Sequence, residues 1–311
     1  MGSQTIKTYG DIPGDAGSDV LGQVNAQQER LRARMAKIHV KVAVLSGKGG
    51  VGKSVIVANL AAAFAKGGLR VGVLDADING PSLGKMLGVR GQRLAFGTAG
   101  VQPALGPLGI RVLSMDLFLP SDETPVLWTG PTEGGGYLWR GAMETATLRE
   151  FLADTEWGEL DLLLLDLPPG TDRIPSLLSL LPELHGVVIV TLPSQVSQLI
   201  VAKSVTVAKE ILKAPVLGLV ENMAAHRCAH CGAEEPLFAG EDSARMAERL
   251  AIPFLGRVPF DPVLTRCADE GTPVVLSCPT APAAEALSRI AARIGEALCL
   301  GPALAEAKEN P

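Results

Sequence analysis

Eight residues, Gly47-Lys48-Gly49-Gly50-Val51-Gly52-Lys53-Ser54, restrict what this chain can fold into more than any other part of it. They follow an apolar run at 40–45 and precede a run of small and apolar residues at 55–65. The segment fits the phosphate-binding template G-x-x-x-x-G-K-[ST], with an additional lysine, Lys48, inside the loop. A strand, a glycine-rich turn and a helix N-terminus make an anion site, because loop N–H groups and the helix dipole both point at the phosphates. Lys53 is placed to reach the β- and γ-phosphates of a nucleotide, and the Ser54 hydroxyl to hold Mg2+.

The rest of the chain alternates. Apolar runs at 71–74, 110–115, 162–165, 187–191, 216–220 and 254–258 are followed by helical patterns at 82–87, 148–152, 174–181, 196–212, 243–250 and 283–298. Short continuous runs such as Leu162-Leu163-Leu164-Leu165 read as strands buried on both faces. Strands alternating with helices predict an α/β fold of P-loop type, a mostly parallel sheet with helices on both faces. A Gln-, Glu- and Arg-rich helix is expected over 20–38, leading into the first strand. Residues 1–19 and 301–311 read as tails, and 20–300 as one domain. Two segments break the alternation: 89–109 reads as a loop or small hairpin, and 120–141, with Trp128, Tyr137 and Trp139, as a surface insertion whose aromatics pack on the sheet edge.

Charge and cysteine usage exclude several classes. A net charge of -5 without a long Lys/Arg cluster argues against nucleic-acid binding. No apolar stretch is long enough to span a bilayer. The 5 cysteines, two of them a C-x-x-C pair, suit a reducing compartment rather than a disulfide framework, so a cytoplasmic protein is expected.

Hydrolysis of a nucleotide needs groups that hold Mg2+ and place a water in line with the γ-phosphate. Carboxylates at the carboxyl ends of the strands beside the P-loop can do both. Asp166, before Pro168-Pro169-Gly170-Thr171, would hold Mg2+ through a water; Asp77 would orient the attacking water, with Asp75 near the metal. Either aspartate alone would read as a helix N-cap.

Taken together, the P-loop with its extra lysine, Asp75-Ala76-Asp77-Ile78-Asn79-Gly80-Pro81-Ser82, Asp166-Leu167-Pro168-Pro169-Gly170-Thr171, and Glu221-Asn222-Met223 followed by Cys228-Ala229-His230-Cys231 resemble the Mrp/Nbp35/ApbC family. These are iron–sulfur cluster carrier ATPases of the MinD-like deviant Walker group. The resemblance spans residues 20–294. It implies ATP as substrate, with Gly47, Lys48, Gly49, Gly50, Val51, Gly52, Lys53, Ser54 and Val55 around the phosphates and Asn222 at the adenine. It further implies a slow ATPase working as a homodimer, nucleotide at the interface, Lys48 reaching the partner's nucleotide, and apo iron–sulfur proteins as acceptors. Val55 departs from the family's usual Thr, Asp172-Arg173 from its usual Gly/Ser-Asp, and 128–141 is longer than usual. With no cysteine before Cys228, the chain resembles the branch that lacks an N-terminal cluster.

Cys228 and Cys231 supply two thiolates where a [4Fe–4S] cluster takes four. On spacing alone zinc stands first, bound by two such pairs or by Cys228 and Cys231 with His226 and His230; a redox dithiol is also open. The resemblance puts iron–sulfur ahead, with the missing pair supplied across a dimer axis. Cys267, Cys278 and Cys299 read as packing residues and His39 and His185 as structural. The competing readings are a MinD/ParA-like positioning ATPase with structural zinc and an ATP-gated electron donor resembling nitrogenase iron protein. Against the first, the apolar stripe Leu287, Ile290, Ile294, Leu298 lacks the basic polar face of a membrane-surface helix and suits packing on the sheet.

Overall fold

The structure is a computed structural model that describes residues 20–300 apart from 98–99, 122, 125, 127–135, 171–180, 182, 228–229, 232 and 241. In chain order its elements are α1 (Val20–Met35), β1 (Ile38–Ser46), α2 (Lys53–Lys66), β2 (Val71–Asp75), α3 (Leu83–Met86), β3 (Ala95–Gly97), β4 (Gly100–Gln102), β5 (Ala104–Leu105), β6 (Arg111–Leu113), α4 (Gly136–Asp154) and β7 (Leu160–Asp166). These are followed by β8 (Gly186–Thr191), α5 (Gln195–Thr206), β9 (Val216–Arg227), β10 (Glu234–Pro236), α6 (Ser243–Arg249), β11 (Phe254–Phe260), α7 (Pro262–Asp269), α8 (Val274–Ser277) and α9 (Pro282–Ala297).

The main sheet runs β10-β9-β8-β1-β7-β2-β6-β5, with β11 also paired to β9. Pairings among β1, β2, β6, β7, β8, β9 and β11 are parallel; β5 and β10 add antiparallel edges. Side chains of a strand alternate between faces, and two buried clusters follow that rule. Val40, Val42, Val44, Leu162 and Leu164 pack with α2, α8 and α9 on one face. Ala43, Leu45, Leu163 and Leu165 pack with α1, α4 and α5 on the other. Each such valine or leucine contributes roughly 1.5–3 kcal/mol by leaving water, which explains why the strands tolerate so few polar residues. Lys41 is the charged exception within β1: it is buried, and its ammonium donates to the Met35 and Ile38 carbonyls, tying the end of α1 to the sheet.

The expected α/β architecture with helices on both faces is therefore present, with several boundaries moved. α1 ends at Met35, and Ile38 already belongs to β1. The helix expected over 196–212 is α-helical to Thr206 and closes in a π-turn over Val207–Ile211. The segment 89–109 holds the β3–β4 hairpin. α4 starts at Gly136, so the later part of the presumed insertion is helix; residues 128–135, the side chains of Tyr137 and Trp139, and most of the helix expected at 174–181 lie outside the described residues. Leu287, Ile290 and Ile294 are buried against the sheet, as their spacing predicts. Cys267 is buried, but Cys299 is exposed rather than packed: it takes the left-handed position (φ 53°) that closes α9, with Leu300 N–H bonding back to Gly295, and this turns its side chain outward. No helix among the described residues is long and apolar enough to cross a membrane.

Candidate functional site

β1 lies between β8 and β7, and its carboxyl end opens into the loop 47–52 before α2. Two glycines there are required by geometry. A Cβ on Gly47 would lie 2.4 Å from Ile200 of α5, and Gly52, at φ 80°, sits directly before the first turn of α2. The loop is braced from below: Gly170 N–H donates to Ser46 O at 3.1 Å, and Asn222 Nδ2 donates to Val51 O at 2.8 Å.

Residues 48–55 line a cleft of about 210 Å3 together with Ser46, Asp77, Ser82, Met86 and Pro169. Of the residues singled out by sequence, Lys48, Lys53, Ser54 and Asp77 thus share one space. Asp75 and Asp166 stand behind it, side by side in register at the ends of β2 and β7. Both are buried, and Lys53 forms an ion pair with Asp166 Oδ1. Burial holds the Asp166 carboxyl above the usual range against the opposing pull of Lys53 and Ser54. Burial, then the neighbouring Asp166 charge, pushes Asp75 up to about 7. Two carboxylates beside a single cation cannot both ionise freely. Asp75 is also a structural anchor: its Oδ2 accepts from Ser82 N (2.9 Å), Leu83 N (3.1 Å) and Ser114 Oγ (3.1 Å), and its Oδ1 from Asp77 N (3.1 Å).

Two supporting contacts escaped the sequence reading. Asn79 Nδ2 donates to buried Glu144 of α4 at 2.7 Å, fixing the loop that carries Asp77. Buried Glu221 accepts from Arg257 Nε at 3.0 Å and from Ser243 N at 3.2 Å, fixing β9 just before Asn222. Glu221, a lone acid directly after the apolar run 216–220, was the available signal for the second; nothing local marks Glu144.

β9 continues past its pairing with β8 and pairs with β10, and Cys231 falls between these two strands in the chain. Cys231 is exposed there as a free thiol; Cys228 lies outside the described residues. No cluster of three or more His, Cys, Asp or Glu suited to a metal occurs among the described residues. The oxygen donors at the loop do fit Mg2+: the Ser54 hydroxyl lies by Asp166, whose Oδ2 is buried without a hydrogen-bond partner.

Comparison with known proteins places this geometry among relatives. A ParA family model, described as NUBPL iron-transfer P-loop NTPase, matches residues 37–136 and 132–295. The iron-sulfur cluster carrier protein of Saccharolobus solfataricus is 42% identical over 273 residues, 88% of each chain. That of Methanocaldococcus jannaschii is 42% identical over 274 residues, 87% of this chain and 89% of its own. Among solved structures, a nucleotide-binding protein from Archaeoglobus fulgidus in complex with ADP, with cobalt found, is 36% identical at TM-score 0.67, covering 78% of this chain and 91% of its own. The cell division ATPase MinD of Pyrococcus furiosus is 21% identical at TM-score 0.58, covering 83% and 98%, a likeness of fold alone.

Proposed function

Because the chain belongs to the ParA-type family of NUBPL iron-transfer P-loop NTPases, we propose that it is a homodimeric carrier that binds ATP with Mg2+, hydrolyses it slowly, and passes a [4Fe–4S] cluster to apo iron–sulfur proteins in the cytoplasm. One observation carries the reading: β9, which braces the phosphate loop through Asn222, runs on into the hairpin that presents Cys231.

Within the cleft, the loop N–H groups and Lys53 bind the polyphosphate, and the γ-phosphate competes with Asp166 for the Lys53 ammonium. Ser54 and Asp166, the latter through water, would hold Mg2+, which would supply positive charge to offset the charge developing on the polyphosphate. Asp77, half-exposed in the cleft, orients the attacking water. Asp75, near the metal, keeps the loop from Asp77 to Leu83 in shape through its four accepted hydrogen bonds. Asn222 Oδ1 is buried and unpartnered, an acceptor suited to the adenine amine.

Two features support a second copy. A cleft of about 210 Å3 is smaller than the roughly 300–1,000 Å3 of a site enclosing a whole ligand, which leaves room for a further wall. α5 exposes Val196 and Leu199 next to Ile200, which packs on Gly47 of the loop. A copy docked there would bring its Lys48 to this nucleotide, and an isologous contact would bring two C-x-x-C pairs together as four thiolates for the cargo cluster.

Anaerobic reconstitution with iron and sulfide, read by absorbance, Mössbauer spectroscopy and metal counting, tests this on wild type and Cys228→Ala. One labile [4Fe–4S] per dimer, lost in the variant and transferable to an apo-acceptor, is expected. Tightly bound zinc with no cluster uptake would overturn the carrier reading in favour of a positioning ATPase with a structural metal clamp.

A further inference from the structure

β9 is two mechanical segments joined at Met223. Up to Glu221 it is held on both sides, paired to β8 through Thr191 and to β11 through Arg257. The buried Glu221 carboxylate adds hydrogen bonds from Arg257 and from Ser243 at the start of α6. Beyond Asn222 the register slips: Val258 faces Asn222 but Phe260 faces His226, so β9 carries extra residues between these two pairs. Met223 lies in that bulge with φ 53°, a left-handed conformation uncommon for a non-glycine residue. Past it, Ala225, His226 and Arg227 pair with Pro236, Glu235 and Glu234, and the His226 ring meets Phe260 edge-on at 6.2 Å.

The bulge touches the phosphate loop directly. A Cβ placed on Gly52 would stand 2.2 Å from Asn222 Nδ2 and 3.7 Å from the Met223 Cε methyl. Asn222 leaves no room for a side chain at Gly52, the residue before α2, the Met223 methyl stands at ordinary van der Waals range from that same position, and Asn222 also holds the Val51 carbonyl.

We propose that Met223 is a positioning residue that transmits the nucleotide state of the loop to the hairpin bearing Cys231. The inference rests on the carrier reading for its purpose, but not for its physics. Phosphates draw the loop N–H groups toward themselves, and this reorients the Val51 carbonyl that Asn222 holds and the Gly52 backbone beside Met223. Upstream, β9 is clamped, so the displacement passes into the distal arm. A bulge, whose extra residues have left the ladder, is where a strand can absorb such a change.

The test uses full-length, metal-free protein under reducing anaerobic conditions, with and without a non-hydrolysable ATP analogue and Mg2+. Amide exchange over residues 223–236 and the rate of Cys231 alkylation by iodoacetamide, resolved by peptide mass spectrometry, are the readouts. In wild type, nucleotide is expected to change both by about threefold or more, the scale of a modest shift in a local opening equilibrium. Met223→Gly keeps the left-handed backbone accessible while removing the side chain. It should abolish the response while analogue affinity stays within about threefold of wild type. Met223→Leu, restoring bulk against Gly52, should recover the response. A wild-type hairpin indifferent to nucleotide, or a Met223→Gly protein that responds like wild type, overturns the proposal. Failure of cluster uptake with an intact hairpin response would instead remove the carrier reading and leave the coupling standing.

Discussion

At the ends of β2 and β7 two carboxyl groups share the influence of one ammonium, and this sets a pH dependence. Asp75 is held at about 7 in the folded protein, by burial first and by the Asp166 charge second, against about 3.9 in an unfolded chain. Between those values the native state keeps a proton that the unfolded state has released. The stability this contributes is complete below about pH 4 and is lost as pH rises through about 7. Thermal midpoints measured without nucleotide should therefore fall between about pH 5 and pH 7, the upper part of that window. Asp75→Asn cannot ionise, so its midpoint should change less over the same interval, even though its absolute stability drops with the loss of an acceptor for four donors. Equal slopes for the two proteins would mean that Asp75 stays charged throughout.

Among elements, α4 and β9 act as supports for the two loops that line the cleft. Glu144 of α4 holds Asn79, and the Asp77 carboxylate lies two residues away in the same turn. Glu144→Ala should lower kcat for ATP hydrolysis by about tenfold or more, because small displacements of an orienting group are costly in rate. It should leave nucleotide affinity nearly unchanged, since Lys53 and the loop N–H groups are untouched. Stopped-flow binding beside steady-state turnover separates the two; a parallel loss of affinity would make Glu144 a packing residue of the whole loop. The sequence disclosed the strands through their apolar runs, and Lys53, Ser54, Asp77 and Asp166 through spacing and position at strand ends. It did not disclose Glu144, because its partner is 65 positions away and helical spacing does not distinguish a buried acid from a solvated one. The bulge at Met223 was hidden for a related reason: a left-handed backbone at methionine is imposed by the mismatch of β9 with β11, a tertiary effect without local propensity. The extension of β9 to Arg227 was equally hidden, since Ala224-Ala225-His226-Arg227 is not a strong strand former and is held by pairing with β10 and β11.

For the whole molecule, the decisive question is whether a second copy completes each nucleotide site, as the proposed dimer requires. Lys48 lines its own cleft, so one chain alone allows it to act on either its own nucleotide or the partner's. Two inactive subunits distinguish these arrangements. Lys48→Ala keeps an intact Lys53. The second subunit, Lys53→Ala/Asp166→Asn, keeps Lys48 and avoids leaving the Asp166 carboxylate buried without its cation, which by itself costs about 3–5 kcal/mol. If Lys48 acts across the interface, a mixed dimer holds one complete site: the Lys53 of the first subunit with the Lys48 of the second. Random mixing gives half mixed dimers, each with one working site of two, so ATPase activity should return to about a quarter of wild type. If Lys48 acts within its own subunit, neither chain in the mixed dimer has both lysines and no activity returns. Native mass spectrometry of the mixture confirms that subunits exchanged, so that silence can be read as an answer: the trans arrangement would be wrong, and the missing wall of the cleft would have to come from something other than a second copy's lysine.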